Sequence, residues 1–424
     1  VKWAIFPSVQ LGWVLTNESW FPKKVGINYL RLNAGYDMSG NDDISNYAAR
    51  TSFNAVKYYA NAMGNQLTNI GNDKIQWETT NKFNLGMQAY LLNNRLGVNF
   101  DYFLHKTSNL LVMKNFTTPV GGINRYWSNG GNLENQGFEA TVTFKPVVLK
   151  DWSVEVGASV GHYKNKVTEL PDGDYTSSVY GDNNILTSVG NPVALFYGYK
   201  TDGIFSTDAE AFAAGKGGYL YMQDYAGNNT NFVAGDVHFV DMNNDGKIDE
   251  QDKTVIGDPN PDIYGNIFAS VNWKNLTLGI GFNYSLGNDV YNYQRLVLNS
   301  GSSFYNQQVA ETGRWRYEGQ HADLPRATYG DPMGNNRFSD RWIEDGSYLR
   351  LKTVSLSYKV PIPGSWTWLQ GLTIWGEAQN LLTFTQYLGN DPEFSIGNSV
   401  FYQGIDSGNL SLGRSFMAGV KINL

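Results

Sequence analysis

The stretch "LGVNFDYFL" (Leu96–Leu104) decides the fold. Successive side chains of an extended strand point to opposite faces. Leu96, Val98, Phe100, Tyr102 and Leu104 therefore share one face, and Gly97, Asn99 and Asp101 open the other. The same alternation recurs along the chain. In "FPSVQLGWVL" the apolar face is Val9, Leu11, Trp13 and Leu15, against Ser8, Gln10 and Gly12. In "GFEATVTF" it is Phe138, Ala140, Val142 and Phe144, against Glu139, Thr141 and Thr143. In "LTLGIGFNY" it is Leu276, Leu278, Ile280, Phe282 and Tyr284, against Thr277, Gly279, Gly281 and Asn283. Counting segments of this period gives about eleven strands, many about ten residues or longer. Strands of globular proteins usually run about 5–6 residues, whereas crossing a bilayer takes about 9–11. The polar, glycine-rich second face suits a wet lumen better than a packed core. The fold class expected is all-β, a transmembrane antiparallel β-barrel.

The joins between strands alternate in length. Tight joins fall at Asn93 and Asn94, at Val147 to Asp151, and at Lys274 and Asn275. Long polar joins run from Tyr36 to Thr79, Thr107 to Glu134, Val167 to Asp262, Leu286 to Glu344 and Thr385 to Gly413. Transmembrane barrels have short periplasmic turns and long outer loops, and a soluble sandwich has no reason for such alternation. Trp152, Trp273, Trp366 and Trp368 flank the short joins, as an interfacial girdle requires. The final "AGVKINL" alternates through Ala418, Val420, Ile422 and Leu424, as a closing wall strand would, although a terminal aromatic is missing.

Composition narrows the function classes. The 424 residues carry 17% charged and 14% aromatic residues, and a net charge of −7. Soluble proteins average about 25% charged residues. A nucleic-acid binder would show a basic face, so nucleic acid is not an expected partner. There is no cysteine, which excludes thiolate metal sites and cysteine nucleophiles. The four histidines, His105, His162, His238 and His321, lack metal-site spacing. No apolar window is long enough for a transmembrane helix. No GxSxG, P-loop or dinucleotide fingerprint occurs, so an enzyme is not expected.

Seven stretches in order resemble a known family. They are "FPSVQLGW" (6–13), "WETTNKFNLGMQAYLLNNRLGVNFDYFLHKTSNLL" (77–111), "ENQGFEATVTF" (134–144), "FYGYKTDGIF" (196–205), "DMNNDGKIDEQDKTVIGDPNPDIYG" (241–265), "EDGSYLRLKTVSLSYKVP" (344–361) and "GEAQNLLTFTQYLGNDPE" (376–393). Together they are similar to the C-terminal half of SusC/RagA-type TonB-dependent outer-membrane transporters. The resemblance implies a plugged barrel of about 22 strands, of which this chain would supply the last eleven or so. It implies a Gram-negative outer membrane with the long loops extracellular. It also implies TonB-driven import of oligosaccharides or peptides, TonB acting through an N-terminal part absent here, with a SusD-like lipoprotein as lid. An open half-wall in lipid would leave backbone groups unpaired, so the chain is expected to be completed by further strands.

Residues 168–261 form the longest outer loop and hold "DMNNDGKIDEQD" (Asp241–Asp252). Asp241, Asn243, Asp245, Lys247 through its carbonyl, Asp249 and Asp252 stand at the ligand positions of an EF-hand-type loop, with Gly246 at the turn. The spacing predicts a structural Ca²⁺, although Asp252 replaces the usual glutamate, and an ion-free Asx turn is the competing reading. So long a loop is not expected to order itself by hydrophobic burial alone. Thr207 and Glu210 predict a capped short helix ending at Gly215. Tyr126, Trp127, Phe304 and Tyr305 are the candidate substrate contacts, since exposed aromatics stack on flat ligands. Tyr348, Arg350 and Lys352 are read as lumen residues, with Val354 and Leu356 facing lipid. Alternatives to import are a passive porin or a calcium-binding surface adhesin.

Overall fold

The computed structural model of the chain describes every residue except 1–2, 23–25, 60–61, 121–122, 181, 216–217, 224–227, 364–367, 395, 398 and 424. Trp366 and Leu424, singled out above, lie outside the described residues.

Eleven strands form one antiparallel sheet in simple chain order. They are β1 (Ser8–Val14), β2 (Ile27–Asn41), β3 (Glu78–Leu91), β4 (Leu96–Ser108), β5 (Asn132–Val148), β6 (Trp152–Glu169), β7 (Ile263–Trp273), β8 (Leu276–Leu286), β9 (Tyr348–Val360), β10 (Gly371–Thr385) and β11 (Ser415–Asn423). β5 and β6 reach 17 and 18 residues, well past what a soluble sheet needs. The register keeps the apolar rows together. Val9, Leu11 and Trp13 stand opposite Tyr36, Ala34 and Leu32. Phe100 and Tyr102 stand opposite Ala140 and Phe138. Phe83, Leu85, Phe100, Val142 and Phe144 are all exposed, which is the face a barrel presents to lipid.

The other face is polar and small. Thr80 and Thr107 hydroxyls lie 3.0 Å apart, and the Asn165 amide donates to Asn135 at 2.6 Å. Lys82 faces Asp37 at 4.0 Å. At Gly86 a β-carbon would come within 2.5 Å of the Asp101 carboxylate, so a larger residue there would have to turn that carboxylate aside. The tight turns follow from residue type. Asn93 and Asn94 take φ of 57° and 62°, a region asparagine tolerates better than most residues.

The chain divides into two compact units. The first holds β1 to β6 and two further hairpins in its long joins, Ser52–Tyr59 with Ala62–Asn69 and Leu111–Val120 with Ile123–Asn129. The second holds β7 to β11 and the longest joins. One expectation is corrected here. The longest loop does bury a core of its own. Phe205, Leu220, Phe232, Val237, Phe239 and Ile248 pack together, joined by Met333 from the following long join. A second cluster gathers Ile185, Phe196, Tyr291, Phe338, Trp342 and Ile405. Each such side chain fully buried contributes about 1.5–3 kcal/mol. The spacing of these residues matches neither strand nor helix period. They meet because short segments fold back on one another, as Thr201–Ile204 does on Val237–Phe239.

The expected surface helix spans Asp208–Ala214. The Thr207 side chain accepts from the Glu210 amide at 3.2 Å. Glu210 reaches one residue further back than a standard capping box, accepting from the Ser206 amide at 2.7 Å. Gly215 ends the helix.

Candidate functional site

The acidic loop is a chain of side-chain-to-backbone turns. Asp241 accepts from the amides of Asp245 at 3.2 Å and Gly246 at 2.8 Å. Asn243 accepts from Asp245, and Asp245 from Lys247. Asn244 and Gly246 supply the positive φ values that curl the loop. Asp252 is fully buried and accepts from the amides of Met242 and Asp249. A cation already sits among the carboxylates, since the Lys247 ammonium lies 2.6 Å from Asp249 and 3.6 Å from Asp245. Its hydrogen bond holds the Asp249 carboxyl below the usual range and lifts the Lys247 ammonium above its own. The oxygen donors are of the hard type that Ca²⁺ takes, but among the described residues no three carboxylates are gathered closely enough to hold an ion as they stand. Fit requires the Lys247 ammonium to swing out and the Asp241 and Asp245 oxygens to turn from backbone amides to the ion.

The candidate aromatics fall in both units. Tyr126 and Trp127 lie on the Ile123–Asn129 strand of the first unit, paired with Lys114 and Met113, and both are half-buried. The Trp127 carbonyl accepts from Asn72 at 3.1 Å. Phe304 and Tyr305 belong to the second unit and are 91% and 83% exposed. Phe304 is not alone there. Its ring lies 5.0 Å from that of Tyr329, tilted by 30°, and Tyr329 is also largely exposed. Tyr329 escapes a sequence reading because 23 residues without a strand or helix period separate it from Tyr305.

The second unit also holds a network of buried charge that no motif announces. Asp236, fully buried, accepts from Arg326 at 2.9 and 3.1 Å, from Asn335 at 3.0 Å and from the Val233 amide. Trp342 lies under two guanidinium groups, Arg341 at 4.9 Å and Arg295 at 5.8 Å. Burial, with Arg295 beside it, pushes Arg341 down to about 10. Arg295 pairs with Glu344 at 2.9 Å. Burial raises the Glu311 carboxyl despite Arg314 and Arg341 nearby.

On the wall, Arg350 is almost fully buried and bonds Asp391, with Glu393 at 3.2 Å and Lys352 at 4.0 Å from Glu393. Simple alternation would put Tyr348, Arg350, Lys352, Val354 and Leu356 on one face. The pairing of β9 with both neighbours slips between Leu351 and Thr353 or alongside it. This bulge lets Leu349 and Leu351 continue the row of Val354 and Leu356, while Tyr348 and Arg350 stand opposite.

Comparison with known proteins follows this geometry. The family described as "TonB dependent receptor-like, beta-barrel" matches residues 1–244. TonB-dependent receptor P3 of Formosa agariphila is 31% identical over 99% of this chain and 42% of its own length. TonB-dependent receptor SusC of Bacteroides thetaiotaomicron is 25% identical over 99% of this chain and 40% of its own. The chain thus spans about two-fifths of the relatives it matches. Among solved structures, the RagAB peptide transporter superposes with a TM-score of 0.79 over 98% of this chain and 43% of that one, at 24% identity. At that identity the likeness speaks for the fold alone. These relatives are receptors rather than enzymes, and they place the wall in a Gram-negative outer membrane. The chain belongs to the TonB-dependent receptor-like β-barrel family.

Proposed function

We propose that this chain is the barrel-wall and outer-loop portion of a TonB-dependent importer for oligosaccharides or peptides, working with a SusD-like surface lipoprotein. The observation that carries the reading is the alternation of short turns and long, folded loops along an eleven-stranded wall. Membership in the receptor family supports it, as does the likeness to a solved peptide transporter. A passive porin is disfavoured, since residues 193–260 build a buried core rather than a simple rim. The long loops face outward and present Phe304, Tyr305 and Tyr329 for stacking on flat substrate groups. Tyr126 and Trp127 are proposed contacts from the first unit. The test is deletion of the whole gene, with growth and uptake followed on a panel of glycans and peptides. Loss of one uptake activity, restored by the parent gene but only weakly by Phe304→Ala/Tyr329→Ala, is the expected result. Unchanged uptake of every substrate would refute import.

The acidic loop is read as a structural calcium clip. Asp241, Asn243, Asp245, the Lys247 carbonyl, Asp249 and Asp252 would hold the ion. Outside the cell calcium is plentiful, and a metal closes a long loop at small entropic cost. The purified full-length protein should gain thermal stability in calcium, by about 2.7 kcal/mol at a hundredfold excess over Kd. Asp241→Ala/Asp245→Ala should remove that gain. Calorimetry showing equal calcium binding in parent and variant would exclude the clip.

A further inference from the structure

The outward face of the second unit is not a uniform apolar surface. Three rungs cross β8, β9, β10 and β11 near the short-turn end. The first reads Leu276, Tyr358, Ile374, Val420; the second Leu278, Leu356, Gly376, Ala418; the third Ile280, Val354, Ala378, Phe416. The small residues Gly376, Ala378 and Ala418 lie side by side, and large ones rim them. The result is a groove of about 490 Å³. Its rim residues Leu356, Ile374 and Phe416 are exposed.

The glycine is not there for the backbone. Gly376 does not take a positive φ. A β-carbon on it would meet only the Met417 carbonyl oxygen, at an ordinary 3.7 Å. Larger side chains would therefore be accepted, and the hollow is a property of the surface itself.

The end of the groove has its own chemistry. Leu276, which lines it, follows the Lys274–Asn275 turn directly. Two residues of strand are about 7 Å, the reach from a phosphate to the first carbons of an acyl chain. Lys274 and Trp273 are both exposed, with the ammonium 5.9 Å from the indole ring. Lys359 and Lys421 stand one rung beyond the groove, but alternation from Tyr358 and Val420 turns both to the opposite face, so Lys274 is the basic residue at the groove's end. The stretch "VNWKNL" that carries it contains no Asp or Glu. Glu377 lines the groove along β10, with its side chain alternating to the opposite face and bonded by Gln379 at 2.6 Å. A bilayer-facing groove with an aromatic and a lysine at its interfacial end matches one occupant, a lipid with an anionic headgroup.

We propose that this groove is a binding site for an anionic phospholipid of the leaflet at the short-turn end, with an acyl chain over Gly376 and Ala378 and the phosphate at Lys274. The assignment of that leaflet to the periplasmic side rests on the importer reading above; the groove and the lysine do not. A basic residue at a membrane surface is worth about fivefold in affinity for an anionic headgroup. The full-length protein is purified from membranes and its retained lipids are counted by native mass spectrometry. It is then placed in nanodiscs of phosphatidylethanolamine with and without phosphatidylglycerol. The parent should retain one phosphatidylglycerol per barrel, in preference to phosphatidylethanolamine. Gly376→Leu/Ala378→Leu, or the milder Ala378→Met, should lose that lipid, with heat-modifiable gel mobility verifying the folded barrel. Lys274→Gln should keep an acyl lipid but lose the anionic preference by about fivefold. Equal retention in the folded, filled variants overturns the proposal. So does a stable dimer that filling disrupts, because a second copy would then be the occupant. This chain has no cysteine, so Asn275→Cys adds a label site whose signal is read against the unsubstituted full-length protein as control. Labelling of Asn275→Cys by an impermeant thiol reagent in intact cells would overturn the orientation, and with it the periplasmic leaflet. The retention measurements decide the site separately.

Discussion

At the scale of residues, the long loops of the second unit depend on one buried carboxylate, Asp236, that is fully paired. Asp236 makes four hydrogen bonds and none of its surface meets solvent. Removing it leaves the Asn335 side chain and the Val233 amide without their acceptor, at a cost of about 1–3 kcal/mol for each buried group left unpaired, and Arg326, one-third exposed, without its counter-charge. Asp236→Ala should therefore unfold the loops around Phe232 and Phe239 while leaving the wall intact. Limited proteolysis reads this, with cleavage expected between residues 199 and 340 at protease levels the parent resists. Resistance equal to the parent would show that the network is dispensable. Asp289 behaves in the opposite sense. Burial, with Asp258, Asp345 and Asp262 nearby, raises its carboxyl above the ordinary 3.8. A raised carboxyl binds its proton more tightly in the folded state. Its stabilising contribution is full below pH 3.8 and is lost as pH rises through the folded value. At neutral pH it is a buried charge among like charges. Asp289→Asn can still accept from the Asp258 amide, a bond now 2.8 Å long. The variant should melt about 2 °C higher at pH 7.5, and the gain should vanish as the acid form is reached. A constant difference across that range would exclude the mechanism. Neither residue stands out in the sequence. Asp236 lies in "AGDVH" and Asp289 in "GNDVY", with no motif about them. What makes them special is burial, and burial is a property of the assembled loops.

At the scale of elements, the wall strands were legible because their signal is local. A period of two needs only neighbours along the chain, and Leu96 to Leu104 shows it without any partner strand. The tight turns were legible for the same reason, through Asn93–Asn94 and Lys274–Asn275. The bulge in β9 was not. A bulge is a mismatch between two strands, so a single strand carries no mark of it. Deleting Lys352 tests this. Without the extra residue the strand alternates simply, so Leu349 and Leu351 stay in the row of Val354 and Leu356 and Arg350 keeps the opposite face. The expected outcome is a heat-modifiable folded band at parent abundance, with only the 4.0 Å approach of Lys352 to Glu393 lost. Loss of the folded band would mean that the bulge itself, and not the phase of the strand, is required. The acidic loop sits between these cases. Its spacing is local and plain in "DMNNDGKIDEQD", but the place of the Lys247 ammonium beside Asp249 is a matter of side-chain geometry.

At the scale of the whole molecule, the sequence by itself determined the class of the protein. Strand length against bilayer thickness, the alternation of short and long joins, and seven ordered motifs lead to an outer-membrane receptor wall, which the family match bears out. These are signals summed over the chain, and each is readable one segment at a time. The loops are another matter. The longest loop is not expected from its sequence to order itself by hydrophobic burial alone, yet Phe205, Phe232, Val237 and Phe239 make a core with Met333 from a separate join. Nor did the sequence place Tyr329 beside Phe304, or Gly376 beside Ala418 and Leu356. Only the tertiary structure decided these neighbours, because each pair belongs to segments far apart in the chain. The physical reason is one of range. Backbone geometry imposes the strand period within a few residues, whereas loop cores, charge networks and surface grooves exist only once distant segments have packed.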